Sequence, residues 1–129
     1  MQTQRETTAE VEARAHRDTA GQPVAEIARF LQDTFSQRVA AHIAGVDDPK
    51  QVGRWAAGKN TPRFDSEFRL RTAYHVFTYI ADCENRHIAR AWMMGMNPQL
   101  EDDSPIHAIA DGRFKEVMAA ARSFRAGDL

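Results

Sequence analysis

The chain has 129 residues, of which 43% are hydrophobic and 27% charged, with 12 glycines and prolines together. That length suits one folding unit, and the balance excludes fibrous, mucin-like and disordered classes. Lys and Arg number 17 against 18 Asp and Glu, which argues against wholesale electrostatic binding to nucleic acid or anionic membranes, and the single cysteine excludes an intramolecular disulfide. Residues 49–71 nevertheless hold six basic side chains against Asp65 and Glu67, leaving the rest of the chain acidic. A basic middle in an acidic chain points to two surfaces with two kinds of partner, although a solvated helix face has the same signature. The longest nearly uninterrupted apolar run, Ala91 to Met96, is too short to span a membrane, and the start MQTQRETTAE lacks the apolar core of a signal peptide. The expected location is the cytoplasm.

Helical periodicity predominates, and no stretch alternates as a strand must, so the expected fold is all-α. Residues 1–22 are polar, with Val11 and Ala15 as a thin stripe, and read as a tail or a partner-dependent helix. Pro23 opens a first helix carrying Val24, Ile27, Ala28 and Leu31. Ser36 caps a second, with Val39, Ala40 and Ile43 inward and Gly45 as its left-handed stop. Asp48-Pro49-Lys50-Gln51 has the form of a capping box and starts a third helix, expected from Asp48 to Ala57, with Val52, Trp55 and Ala56 inward. Asp65 or Ser66 starts a long central helix along Leu70, Ala73, Tyr74, Phe77, Ile80 and Ala81, broadened by Phe68 and Val76. After a bend at 82–85, Ile88, Ala91, Trp92 and Gly95 continue to Asn97-Pro98. Ser104-Pro105 opens a short helix ended by Gly112, and a last helix carries Phe114, Val117, Met118, Ala121 and Phe124 before Gly127. Both Trp55 and Trp92 are expected to be substantially buried.

The second and third helices, joined at Gly45-Val46, form a helix-turn-helix pattern. In a major groove, Lys50, Gln51 and Arg54 would face base edges and phosphates, with Lys59 and Arg63 toward flanking phosphates. Glycine-joined helix pairs also occur in proteins that never meet DNA, and Gly45 to Val52 is one residue longer than the common spacing. Spacing alone therefore leaves DNA binding and a structural helix pair both open. Catalysis has one starting point, Asp82-Cys83-Glu84-x-x-His87, where Cys83 and His87 stand a helical turn apart. Two ligands do not make a zinc site, and no phosphate loop or nucleophile elbow accompanies them, so neither an enzyme nor a cofactor is expected. Met93, Met94 and Met96 beside Trp92 suit core filling or an adaptable binding patch.

The runs AGVDDPKQVGRWAAGKNTPRFDSEFRLRTAYHVF and ARAWMMGMNPQLEDDSPIHAIADGRFKEVMAAARSF resemble the Xre/MbcA/ParS-like antitoxins of toxin-antitoxin pairs. Val52-Gly53-Arg54-Trp55-Ala56-Ala57-Gly58 and Arg69-Leu70-Arg71 match the family's V-x-R-W-x-x-G and R-L-R elements. Asn97-Pro98-x-Leu100, Ser104-Pro105 and Gly112 match its toxin-binding segment. The resemblance covers residues 24–127, and Glu101 stands where the family often has glycine. It implies a helix-turn-helix region over 23–82, a toxin-binding domain over 83–129, and a homo-oligomer, expected as a dimer. The implied partners are operator double-stranded DNA and a RES-domain toxin that consumes NAD. That toxin would be blocked by the C-terminal segment, whose polar end after the last amphipathic helix consists of Arg122, Arg125, Asp128 and Leu129. A toxin-independent transcription regulator of the same fold is the alternative.

Overall fold

Ser36, Asn85 and Ser104 divide the chain at three helix starts, each accepting a hydrogen bond from the backbone N–H three residues on, at Val39, Ile88 and His107. The computed structural model describes Thr7, Ala9, Glu10 and residues 20–127. Val11, Ala15, Asp128 and Leu129 lie outside the described residues. At the described start, Thr7 Oγ1 accepts from Glu10 N at 3.1 Å while Thr7 N donates to Glu10 Oε2 at 3.2 Å, a reciprocal cap.

The architecture is all-helical, with seven α-helices among residues 24–126: α1 Val24–Thr34, α2 Gln37–Ala44, α3 Lys50–Ala56, α4 Phe64–Cys83, α5 Arg86–Met94, α6 Pro105–Ala110 and α7 Phe114–Ala126. A single 3-10 turn, Pro98–Leu100, links α5 to α6. The 20-residue α4 is the axis, touching α1, α2, α5, α6 and α7, while α1 packs most extensively on α3. Ile27 and Leu31 of α1, Ile43 of α2, Val52 and Trp55 of α3, Leu70 and Ile80 of α4, Met93, Ile109 and Val117 form one hydrophobic cluster. That cluster runs through both halves of the chain.

Several expectations change. The third helix begins at Lys50 rather than Asp48, because the Asp48 carboxylate turns the chain by accepting from Lys50 N at 3.0 Å. Ser66 does not start α4: it is buried within the first turn, donating from Oγ to the Ala44 carbonyl at 2.7 Å. On α4, Tyr79 is fully buried, with Arg125 of α7 over its ring, whereas Phe68 is 47% exposed and meets α7 only through the edge of Phe114 at 4.9 Å, the reverse of what the stripe predicts for these two. Beyond Cys83 the helix stops and Asn85 caps a new one, which resets the register. Ala89 and Met93 are therefore the buried pair of α5, whereas Ile88 and Ala91 are exposed and Trp92 is only half-buried, with its ring 6.0 Å from that of Phe124.

Glu101 and Asp102 adopt φ values of +57° and +68°, left-handed positions that glycine occupies without steric cost. The backbone of Asn97 holds this turn: its carbonyl accepts from Leu100 N and Asp102 N at 2.9 and 3.0 Å, and its N–H donates to Asp103 O at 3.1 Å.

Candidate functional site

The α2–α3 pair is built by local rules. Gly45 takes φ +78°, and the N–H groups of Gly45 and Val46 both bond the Ala41 carbonyl, at 2.9 and 3.0 Å, which closes α2 in a Schellman turn. Val52, Trp55 and Ala56 hold α3 inward, and Arg29 Nη2 donates to the Ala56 carbonyl at 3.0 Å, satisfying the end of the helix. The opposite face is left to Lys50 and Arg54, both exposed, with Gln51 half-buried beside them. Lys59 and Arg63 are exposed on the segment that leads from α3 to α4. The structure thus gathers three of the five nucleic-acid candidates on one helix and puts the other two on the adjoining loop.

Gln37, the first residue of α2, is a further candidate that the sequence reading did not single out. Its amide nitrogen lies 2.8 Å from where a Cβ would stand on Gly53, and it donates to Gln32 Oε1 at 3.1 Å. The signal was Gly53, a glycine inside a seven-residue helix, which marks close approach by another group. A side chain at 53 would make the exposed Gln37 amide swing away from the α3 backbone.

The C-terminal candidates are placed differently from one another. Arg122 is exposed on α7. Arg125 turns back onto the core, with Cζ 5.5 Å from the centroid of Tyr79 and Nη1 4.0 Å from Asp82 Oδ2. Asp128 and Leu129 follow Gly127, which ends α7 at φ +80°. Upstream, Met93 is core, while Met96 is 82% exposed beside a cleft of about 300 Å3 lined by Trp92, Pro98, Ala120 and Phe124. Met93 thus fills the core, as one of the expected roles requires, while Met96 is left at the surface.

One polar tie joins the α2–α3 region to the C-terminal helices, and a second braces the turn before α6. His42 Nε2 and His107 Nδ1 are 3.2 Å apart, with ring planes within 12° and centroids 5.3 Å apart. Nitrogens that nearly span the line between centroids mean rings meeting edge to edge, in an N–H···N hydrogen bond between α2 and α6. Arg113 pairs with Asp103, bracing the turn that carries Glu101 and Asp102.

Cys83 and His87 fall on separate helices, α4 and α5, so the expected one-turn spacing is broken by the stop at Cys83. The Cys83 thiol donates to Ile80 O at 3.2 Å, and burial pushes its pKa up against the opposing pull of the Arg125 guanidinium. Among the described residues no three His, Cys, Asp or Glu side chains gather as a metal site would require. No helix among them is long and apolar enough to cross a membrane.

Three curated proteins are similar in sequence, each called mycobacterial cidal antitoxin MbcA, one from Mycobacterium bovis and two from strains of Mycobacterium tuberculosis. In each case identity is 32% over 71 residues, which is 55% of this chain and 63% of the relative. The chain thus spans less than two thirds of the length of the curated relatives it matches. No protein-family model matches the chain. No solved structure matches it either.

Proposed function

We propose that this protein is a non-catalytic antitoxin that neutralises a toxin and represses its own operon. The similarity to antitoxins named MbcA carries the reading, and the family resemblance of the Arg54-Trp55 and Asn97-Pro98 elements points the same way. The partner is a RES-domain toxin that consumes NAD, met by the C-terminal segment through Arg122, Asp128 and Leu129, with Arg125 anchoring that segment to α4, and the segment covers the toxin's active-site entrance. Repression runs through α3, where Lys50, Gln51 and Arg54 address the major groove and Lys59 and Arg63 the flanking phosphates of operator DNA. The protein acts in the cytoplasm without a cofactor, as a homodimer. Phe64, 84% exposed, and the groove it borders between Phe68, Phe114 and Met118 support a contact with a second copy.

Co-expression with the product of the neighbouring gene and affinity purification tests this. The proposal expects a stable complex containing both chains. A verified RES-domain toxin that never co-purifies would leave the toxin-independent regulator as the better reading.

A further inference from the structure

A groove opens between α4 and α7. At one end the Phe68 and Phe114 rings meet edge to face with centroids 4.9 Å apart, and at the other Arg125 lies over Tyr79 and beside Asp82. The two helices therefore run side by side in the same direction between these contacts. Near the first end the groove has a volume of about 340 Å3, walled by Phe68, Thr72 and His75 of α4 and by Phe114 and Met118 of α7, and its lining is almost wholly apolar.

Ala20 also lines this end of the groove. Just after it, Arg71 Nη1 donates to the Gln22 carbonyl at 2.9 Å, and Glu67 holds the same guanidinium group at 2.8 Å, so the entry to α1 is tied to the α4 wall. The chain before Ala20 has a defined beginning, since Thr7 and Glu10 cap one another, Ala9 and Glu10 are helical, and Ala20 is helical in turn. No glycine or proline interrupts the sequence between these ends, and its apolar residues, Ala9, Val11, Ala13 and Ala15, are small enough for a shallow groove. At 1.5 Å per residue, a helix from Ala9 to Ala20 spans about 17 Å, the same as the stretch of α4 from Arg71 to Asp82. Because α7 begins at Phe114, opposite Phe68, a path with two walls exists only from there toward Asp82. Arg71, His75, Tyr79, Asp82 and Arg122 along that path are all engaged, as on a covered face.

We propose that residues 9–19 are the occupant of this groove, seated as a helix between α4 and α7 of their own chain and running from Ala20 toward Asp82 and Arg122. Since Ala20 already stands at the groove, the segment meets it as a tethered group, at an effective concentration of about millimolar that a second copy in dilute solution does not reach. Seated there, it braces α7, the helix that carries Arg122, against α4. The contact with a second copy then narrows to Phe64 and the outer edge of Phe68, ahead of the stretch with two walls. The inference depends on neither the toxin nor the DNA contacts proposed above.

The test uses the full chain with a nitroxide spin label on Ala9→Cys, an exposed position, in a Cys83→Ser background, and reads paramagnetic broadening of the backbone amide signals. Residues 79–83 and 121–125 should be broadened several-fold more than Phe68 and Phe114. Equal broadening at both ends, or stronger broadening at Phe68 and Phe114, overturns the inference. The gradient should vanish when spin-labelled chains without isotope are mixed with isotope-labelled chains without spin label. Its persistence in that mixture assigns the groove to the segment of a second copy and overturns the seat proposed here. Met118→Asp, and Thr72→Glu on the opposite wall, should each erase the gradient in chains that circular dichroism verifies as folded. A gradient that survives both removes the groove as the seat.

Discussion

Replacing Arg125 by alanine separates an anchored last helix from one whose end reaches freely outward. Its side chain is 20% exposed, lies 4.0 Å from the Asp82 carboxylate, and covers the buried Tyr79 ring at 5.5 Å. The cation over the ring is worth about 1 kcal/mol in such partly desolvated surroundings. The ion pair, with a partly exposed acid, adds at most about 0.5 kcal/mol. Two stem methylenes removed from water contribute about 1.5 kcal/mol. Together these give about 3 kcal/mol, below the 5–15 kcal/mol typical of a whole domain, so the variant folds with a melting point lower by roughly 10 °C. Urea denaturation of the parent, Arg125→Ala and Arg122→Ala measures this, with the exposed Arg122 expected to change stability by under about 0.5 kcal/mol. A loss below about 0.5 kcal/mol for Arg125→Ala would refute the packing argument and return Arg125 to the surface available to a partner.

Trp55→Ala should cost about 3–5 kcal/mol, since the ring is 3% exposed between α3 and α1, and Trp92→Ala clearly less, as its ring is half-buried. Chemical denaturation reads both, and equal losses would contradict the burial assigned to Trp92. Lys50→Ala/Arg54→Ala should weaken operator binding and make its salt dependence shallower by about one to two units while leaving the melting curve unchanged, whereas unaltered affinity would remove α3 from the interface. Glu101→Gly should raise stability by about 0.5–1 kcal/mol by relieving a left-handed backbone at φ +57°, and a loss of stability would show that the Glu101 side chain supports the turn. Cys83, held protonated by burial, should react with iodoacetamide at pH 8 more slowly than free cysteine, and a faster reaction would mean that Arg125 dominates its environment.

Much of the fold was legible because short-range rules decide it. Ser36, Asn97, Ser104 and the left-handed Gly45, Gly112 and Gly127 all mark element ends that sequence alone identifies. What was not legible depends on neighbours distant in sequence. Nothing local distinguishes Tyr79, which α7 covers, from Phe68, which is left half in water. Nor does the sequence show that Ser66 would serve the α2 carbonyl terminus instead of its own helix. At Glu84-Asn85, between α4 and α5, the turn resets the helical register, so Ala89 and Met93 face the core in place of Ile88 and Ala91.

The candidate surfaces follow the same division. Lys50, Gln51 and Arg54 were legible because seven helical residues leave them only one exposed face. Gln37 was not, since its place over Gly53 depends on how two helices cross. Arg125 reads as a polar end in sequence and becomes a packed side chain only when α7 meets α4.

The antitoxin assignment is tested most directly by NAD content and growth of cells expressing the proposed RES-domain partner, alone, with the full chain, and with its Lys50→Ala/Arg54→Ala variant. The account predicts that the toxin alone depletes NAD and arrests growth, and that the full chain restores both. The variant should protect equally when both genes run from an external promoter, because neutralisation does not require DNA. NAD depletion by a verified toxin that is undiminished by the full chain would contradict the account.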